Sequence, residues 1–137
     1  MTPPLEDIIL PGVTRDSVLK LAEGHTSSQN KIQGLPSDMT VSIRPITMKE
    51  VKAAASAGQL LEMFGTGKYF HHVSDDRLNA LPGTAAIISP VKNVGYMGED
   101  IPVPVDQKGA GPIAHVMLRE IVGRQVGTIK SDWSVPV

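Results

Sequence analysis

The chain has 137 residues, 41% of them hydrophobic, and its 13 Lys and Arg residues nearly balance its 14 Asp and Glu residues. This length suits one domain or a piece of one, and the near-neutral charge gives no broad electrostatic surface for nucleic acid or an anionic membrane. The absence of cysteine excludes disulfides, thiolate metal sites and thiol nucleophiles.

The first predicted motif is a strand, a tight turn and a helix. Residues 8–10 are apolar, and Pro11-Gly12 suits the centre of a type II turn, because Pro presets φ and Gly accepts a positive φ. Thr14 is predicted to cap the following helix. Apolar residues recur in that helix at helical spacing, and Gly24 is predicted to end it.

A strand, a helix and a second strand are predicted in the middle of the chain. Thr47, with Glu50 three residues later, is a capping box, the pattern that opens many helices. The apolar residues of the first strand alternate with polar ones, as in a half-buried strand. The predicted elements are a strand at 39–46, a helix at 49–57 ended by Gly58, a strand at 60–64 and a turn at 65–67.

The C-terminal third is predicted to hold an apolar run, a strand and a final helix. Pro102 and Pro104 push the strand towards a sheet edge, and Gly111-Pro112 places Pro in the first turn of the helix. In chain order these are an apolar run rich in Ile and Ala at 85–91, a turn at 95–98, a strand at 101–105 and a helix with Ile113, Val116, Met117 and Ile121 on one face. Helices and strands alternate, which indicates a mixed α/β fold over residues 1–137.

The strongest local signal for a ligand is the predicted start of the first helix. A glycine turn that leads into a helix gathers unpaired backbone N–H groups at the positive end of the helix dipole, which favours a phosphate. Gly12, Val13 and Thr14 are the residues so placed. A structural turn with an N-cap explains the same spacing, so the local pattern leaves both interpretations open.

Other motifs favour ordinary structural roles. Gly65-Thr66-Gly67-Lys68 resembles a P-loop only superficially, because that motif needs Gly where Glu62 stands and Ser or Thr where Tyr69 stands. His71-His72 and Asp75-Asp76 offer metal-ligand types without a recognised spacing, which favours a solvated loop.

The remaining histidines, His25 and His115, are predicted to lie in a loop and on the last helix. No basic n-region followed by an apolar stretch opens the chain, and no apolar run is long enough to span a bilayer. The sequence therefore gives no sign of a membrane or nucleic-acid partner.

Several motifs together closely resemble the C-terminal part of branched-chain-amino-acid aminotransferases, which are fold-type IV enzymes dependent on pyridoxal phosphate. The order and approximate spacing of these motifs agree with those of the family, in particular its fungal members. The agreement covers nearly the whole chain except residues 68–83. The motifs are residues 9–17 (Ile-Leu-Pro-Gly-Val-Thr-Arg-Asp-Ser), Phe64-Gly65-Thr66-Gly67, Thr84-Ala85-Ala86, Ile88-Ser89-Pro90-Val91 and Ser131-Asp132-Trp133-Ser134.

The resemblance implies a cofactor and substrate site on two turns. Backbone N–H groups at Val13 and Thr14 would hold the cofactor phosphate, as would the hydroxyl and backbone of Thr84. The N–H groups of Thr84 and Ala85 would hold the substrate carboxylate, since preorganised backbone dipoles can bind an anion without a charged side chain. Gly83 would let the chain approach the ligand closely.

The resemblance also implies that catalytic parts lie upstream of the matched region. Pyridoxal phosphate needs a lysine for its Schiff base and a carboxylate at its pyridine nitrogen, and none of the eight lysines stands in the family's context. The expected partners are branched-chain amino acids, 2-oxo acids and a second subunit, in cytoplasm or mitochondria. Alternatives are a non-enzymatic remnant that retains a phosphate cradle, and another class IV enzyme such as a D-amino acid aminotransferase or aminodeoxychorismate lyase.

Residues 68–83 are predicted to be a translated intron. Their removal joins Gly67 to Thr84 and restores an uninterrupted Gly-Thr-Ala turn. Gly67-Lys68-Tyr69 can be encoded with the donor signal GTAAGT, Leu78-Asn79 with the branch-point string CTAAC, and Pro82-Gly83 with CAG before G. The length is in frame and of the short kind usual in fungi. A lineage-specific surface loop is the alternative.

Overall fold

A computed structural model describes residues 1–5, 11–67 and 88–133 of the chain. Helices and strands are mixed in these ranges, which confirms the predicted fold class. The predicted strand at 8–10 lies outside the described residues. In chain order the elements are α1 (Val13–Thr26), α2 (Met48–Ser56), β1 (Phe64–Thr66), β2 (Ile88–Pro90), β3 (Asn93–Tyr96), β4 (Glu99–Pro102) and α3 (Pro112–Gln125).

The core lies where α1 and β2 pack against α3. Met117 of α3 is 1% exposed and is the most deeply buried large side chain. The buried members of this core are Leu21, Ala22, Ile32, Leu35, Ile88, Ala110, Ala114, Val116, Met117 and Ile121. Because α3 contacts both α1 and β2, it fixes the position of the first helix relative to the strand.

His25 lies in the last turn of α1 and is 3% exposed. Its Nδ1 accepts the Ile32 backbone N–H at 2.9 Å, and its Nε2 lies 3.1 Å from the Pro36 carbonyl oxygen. The ring therefore carries its proton on Nε2 and donates it to Pro36. The loop prediction for His25 is wrong because the helix continues two residues beyond Gly24, and the ring ties the following segment to the helix.

Replacement of His25 by Leu is expected to lower the free energy of unfolding by about 2 to 4 kcal/mol. The Ile32 N–H and the Pro36 carbonyl lose their shared partner, and each unsatisfied buried group costs about 1–3 kcal/mol. Urea unfolding followed by circular dichroism measures the change. His115→Leu, at a more exposed position, is the matched control and should cause a much smaller loss; equal losses would contradict this role of His25.

The four strands form two separate antiparallel pairs. In the first pair, Phe64 lies opposite Pro90 and Thr66 opposite Ile88. The predicted strand at 60–64 and turn at 65–67 are wrong in position, because Gly65 and Thr66 belong to β1. Gly67 then takes a φ of +127°, which suits the exit from the strand because glycine has no Cβ.

The second pair is a tight hairpin. Val94 lies opposite Ile101, and Tyr96 lies opposite Glu99. Met97 and Gly98 make the connection with φ values of 52° and 79°, the conformation of a two-residue hairpin turn. The turn is therefore shorter than the predicted 95–98, and the second strand, predicted at 101–105, is β4 at Glu99–Pro102.

The predicted strand at 39–46 is wrong. Within the described ranges, a single bridge forms there, between Thr2 and Ile43. The Thr2 N–H donates to Ser42 at 2.9 Å, and Thr2 accepts from the Arg44 N–H at 3.0 Å. An alternating pattern shows which side chains could share a face, but a strand also needs a run of backbone partners, and the described residues supply only Thr2.

Helix α2 begins as the sequence predicts, at a capped Thr47. The Thr47 hydroxyl accepts the Glu50 N–H at 3.2 Å, while the Glu50 carboxylate binds Arg44 instead of completing the capping box. This hydrogen bond from Arg44 is the main cause that lowers the pKa of Glu50. The predicted helix end is confirmed, because Gly58 follows the Ala57 C-cap with a φ of +67°.

The predictions for α3 are confirmed: it begins with Pro112 after Gly111, and it carries His115. Its C-terminal half buries an ion pair, in which Arg124 Nη1 lies 2.7 Å from Glu120 Oε2. The Arg124 guanidinium also lies over the Trp133 ring, 5.6 Å from its centroid. These contacts hold the segment after α3 against the helix.

Candidate functional site

The N-terminus of α1 has the features of an anion site. Gly12 is its N-cap, with φ −72° and ψ 132°, and no side chain caps the helix. The first N–H groups of a helix have no acceptor within it and lie at the positive end of its dipole. Val13 is 81% exposed, and among the described residues other than its immediate neighbours in the chain, none comes within 4 Å of where a Gly12 Cβ would be. The described residues therefore leave this helix terminus accessible.

Two details of the predicted turn are wrong. Gly12 has a negative φ, so Pro11-Gly12 does not form the central pair of a type II turn, which needs a positive φ at its second position. Thr14 is the second residue of α1 and not its N-cap. Its N–H group is nevertheless among the unpaired donors of the first turn, so the correction leaves Gly12, Val13 and Thr14 at the helix terminus.

The charged side chains of the first turns have partners. Asp16 Oδ2 lies 2.8 Å from Lys20 Nζ, and the hydrogen bond that Lys20 donates to Asp16, followed by the Asp16 charge, raises the pKa of Lys20. Arg15 Nη2 donates to the Pro3 carbonyl at 2.7 Å. Any anion at this terminus would therefore be bound mainly by the backbone N–H groups of α1. The negative charge of Asp16 would repel it little, because Lys20 offsets that charge.

The N-terminus of α3 is occupied by a carboxylate from elsewhere in the chain. Glu62 Oε1 accepts the Ile113 N–H at 2.8 Å, and Glu62 Oε2 accepts the Ala114 N–H at 3.1 Å. Sequence reasoning missed this role, because nothing local links Glu62 to a helix about 50 residues later. An acidic residue before a strand, together with a helix that begins at Gly-Pro, is the only signal that could have suggested it.

The second predicted turn lies outside the described residues. Gly83, Thr84 and Ala85 fall in residues 68–87, as do the predicted insert at 68–83 and the motif His71-His72 with Asp75-Asp76. The structure therefore neither brings these residues to α1 nor separates them from it. It does place the residues on either side of this segment together, since Thr66 pairs with Ile88.

The described residues add no other site chemistry. Residues 1–5, 11–67 and 88–133 contain no group of three or more His, Asp or Glu side chains that could hold a metal ion. In the same ranges, no helix is both long and apolar enough to cross a membrane. Gly65 and Thr66 lie in a strand, which agrees with the rejection of a P-loop.

No protein-family model matches the chain, but curated proteins are similar to it over nearly its whole length. The cytosolic branched-chain-amino-acid aminotransferase of Saccharomyces cerevisiae is 38% identical over 136 residues, which cover 98% of this chain and 30% of the relative. The branched-chain-amino-acid aminotransferase of Dictyostelium discoideum is 34% identical over 139 residues, covering 100% and 30%. The mitochondrial enzyme of Schizosaccharomyces pombe is 36% identical over 139 residues, covering 99% and 27%. The chain thus spans less than a third of the length of these relatives.

Proposed function

Because the chain is homologous along its length to branched-chain-amino-acid aminotransferases, we propose that it is the C-terminal part of the large domain of such an enzyme. The complete enzyme would transfer an amino group between leucine, isoleucine or valine and 2-oxoglutarate, as a homodimer in cytoplasm or mitochondria. The homology carries this proposal, and the open N-terminus of α1 supports it.

The residues at α1 fit the phosphate of pyridoxal phosphate. Gly12 leaves space at the helix terminus, and the N–H groups of Val13 and Thr14 would donate to the phosphate oxygens. When bound, the cofactor supplies an electron sink for the bond changes at the substrate α-carbon. This chain would bind and orient the phosphate. Helix α1 can hold the phosphate in a fixed position because its buried residues Leu21 and Ala22 anchor the helix in the core.

The second turn would complete the site. The hydroxyl of Thr84 would bind the same phosphate, and the backbone N–H groups of Thr84 and Ala85 would bind the substrate carboxylate, with Gly83 beside them. These roles rest on the family resemblance alone. They require the turn to lie close to the N-terminus of α1.

The register of β1 and β2 supports the proposal that residues 68–83 are an insert from a translated intron. The paired residues Thr66 and Ile88 are joined by 21 residues, 67–87. Without the 16 residues 68–83, five residues remain, a common length for a hairpin loop. The strands on either side would pair without the insert.

Replacement of Val13 by Pro tests the phosphate site. Val13 is the first residue of α1, where Pro is tolerated because its fixed φ suits a helix start, and the extended Gly12 is compatible with a following Pro. The substitution removes one N–H donor and keeps the fold. We expect about ten- to a hundredfold weaker binding of pyridoxal phosphate, since a hydrogen bond to a charged group is worth about 1.5–3 kcal/mol.

Binding is measured by titration of isotope-labelled chain, following the amide NMR signals of Thr14 and Arg15. Pyridoxal phosphate and inorganic phosphate should move these signals, whereas pyridoxal without phosphate should not. Met48→Pro, the same change at the first residue of α2, is the matched control and should leave the titration unchanged. Pyridoxal phosphate that moves signals elsewhere but not at α1 would refute the proposed site.

A further inference from the structure

The segment at 39–44 has the side-chain arrangement of a strand but little of its backbone pairing. Met39 and Val41, which lie two residues apart, both pack against the core, as alternate residues of a half-buried strand do. Within the described ranges, its backbone meets another extended segment at a single parallel bridge, between Thr2 and Ile43. The side chains are therefore already placed for a longer ladder than the one observed.

One edge of this segment carries unused hydrogen-bonding groups. The edge faces Thr2, whose N–H donates to the Ser42 carbonyl at 2.9 Å and whose carbonyl accepts the Arg44 N–H at 3.0 Å. Alternate residues of a strand direct their N–H and C=O groups to the same neighbour, so Thr40 shares this edge with Ser42. In residues 1–5, 11–67 and 88–133, no group accepts the N–H of Thr40 or Ser42. A row of unused donors and acceptors of this kind can pair with a further strand.

The geometry of the bridge selects what can pair there. Because Thr2 runs parallel to the segment, the residue two places before Thr2 would lie opposite Val41, and the residue four places before it opposite Met39. Met1 is the next residue in this line. A separate strand would have to end against the Met1 amino group, whereas polypeptide that continues from Met1 reaches both positions directly.

Both sides of the bridge are anchored to helices. Arg15 of α1 donates through Nη2 to the Pro3 carbonyl at 2.7 Å. On the other side, Arg44 Nη1 donates to Glu50 Oε2 of α2 at 3.0 Å. The register at Thr2 is therefore set by contacts within the chain, and it fixes the register of any residues that continue the line.

We propose that, in the complete enzyme, the polypeptide that directly precedes Met1 continues the parallel ladder along residues 39–44. This edge is then the surface through which the upstream part of the enzyme attaches to the unit built by α1, α2 and α3. The inference rests on the proposed function, since the chain spans less than a third of its relatives and is assigned to their C-terminal part. Through Arg15 and Pro3, the added strand would be tied to the helix that carries the proposed phosphate site.

The test extends the complete chain at its N-terminus by about six residues, an ordinary strand length. They are taken from the sequence that directly precedes the matched region in the cytosolic Saccharomyces cerevisiae relative. Amide hydrogen exchange followed by NMR should slow about five- to tenfold at Thr40 and Ser42, because each N–H gains a carbonyl acceptor. The amides of Val41 and Ile43 face the opposite edge and should not change. Equal slowing at all four amides would indicate general compaction and overturn the inference.

Two controls test the pairing itself. A Gly/Ser extension of the same length should give little protection, because these residues favour strands poorly. Thr2→Pro in the extended chain removes the N–H that sets the register and should return Thr40 and Ser42 to fast exchange. The signals of α1 and α3 should stay in place in this variant, which separates loss of pairing from loss of the fold.

Each outcome supports or overturns the inference. Protection of Thr40 and Ser42 in the extended chain alone supports it. Equal exchange with and without the extension overturns it, as does protection already present in the unextended chain, since a second copy would then be the occupant. Failure of the proposed function is distinguishable, because it appears as unmoved Thr14 and Arg15 signals in the titration with pyridoxal phosphate, whatever the exchange at Thr40 and Ser42.

Discussion

The purified chain, supplied with pyridoxal phosphate, leucine and 2-oxoglutarate, is expected to show no turnover beyond that of the free cofactor. The family's chemistry needs a lysine that bonds to the cofactor and moves a proton, and none of the eight lysines stands in the family's context. Lys20, which follows the proposed phosphate site on α1, is paired with Asp16. The chain can therefore supply part of a binding site without the reacting group.

A coupled glutamate assay measures turnover, and borohydride treatment followed by peptide mass spectrometry detects a covalent bond to any lysine. The cytosolic Saccharomyces cerevisiae relative serves as positive control under the same conditions. Stoichiometric labelling of one lysine together with turnover would show that the chain is catalytically complete. A second assay, with the chain joined to the upstream part of the Saccharomyces cerevisiae relative, separates a partial enzyme from a remnant, because only a partial enzyme should then gain activity.

Removal of residues 68–83 is expected to raise the activity of an assembled enzyme by at least about a hundredfold. If residues 68–83 are an insert, they interrupt the turn proposed to carry Thr84 and Ala85, and a displacement of roughly 1 Å at such a site can cost about a hundredfold in rate. Its effect on stability should be smaller. Shortening the connection between Thr66 and Ile88 from 21 residues to five lowers the loop-closure cost by only about 1 kcal/mol.

A chimera provides the measurement. The region of the cytosolic Saccharomyces cerevisiae enzyme that matches this chain is replaced by the chain with or without residues 68–83, and kcat and KM for leucine are compared. A 16-residue Gly/Ser segment placed between Met97 and Gly98, at the turn of the other hairpin, is the control in the version lacking 68–83 and should cost little activity. Equal activity with and without 68–83 would favour a native surface loop, as would a messenger RNA that always retains the segment.

Local signals in the sequence predicted the helices best. Gly111-Pro112 and Thr47 marked the starts of α3 and α2, because the residues that determine a helix start lie within one turn of it. The alternation of apolar and polar residues at 39–46 led to a wrong strand prediction, since this pattern does not reveal whether a partner strand exists. His25 was assigned to a loop because Gly24 was expected to end the helix, whereas α1 continues to Thr26. The partners of its ring, at Ile32 and Pro36, come from the following segment and leave no local signal.

Only the local part of the candidate site could be placed from the sequence. Gly12, Val13 and Thr14 were expected at a helix terminus, and they lie at one, because such a terminus is a local feature; the turn type and the cap were wrong. Glu62 could not be found in this way, since its partners Ile113 and Ala114 are brought to it only by packing of α3 against β2. The proposed ligand, pyridoxal phosphate, was inferred from the resemblance to a family and not from the spacing of residues.

The pairing of Thr66 with Ile88 bears on how the chain tolerates a change in length. The buried contacts of α1, α3 and β2 are made by residues outside 68–83, so chains with and without these residues are expected to keep the same core. A change in length at this one connection would then alter the proposed site and leave the contacts that hold the helices together.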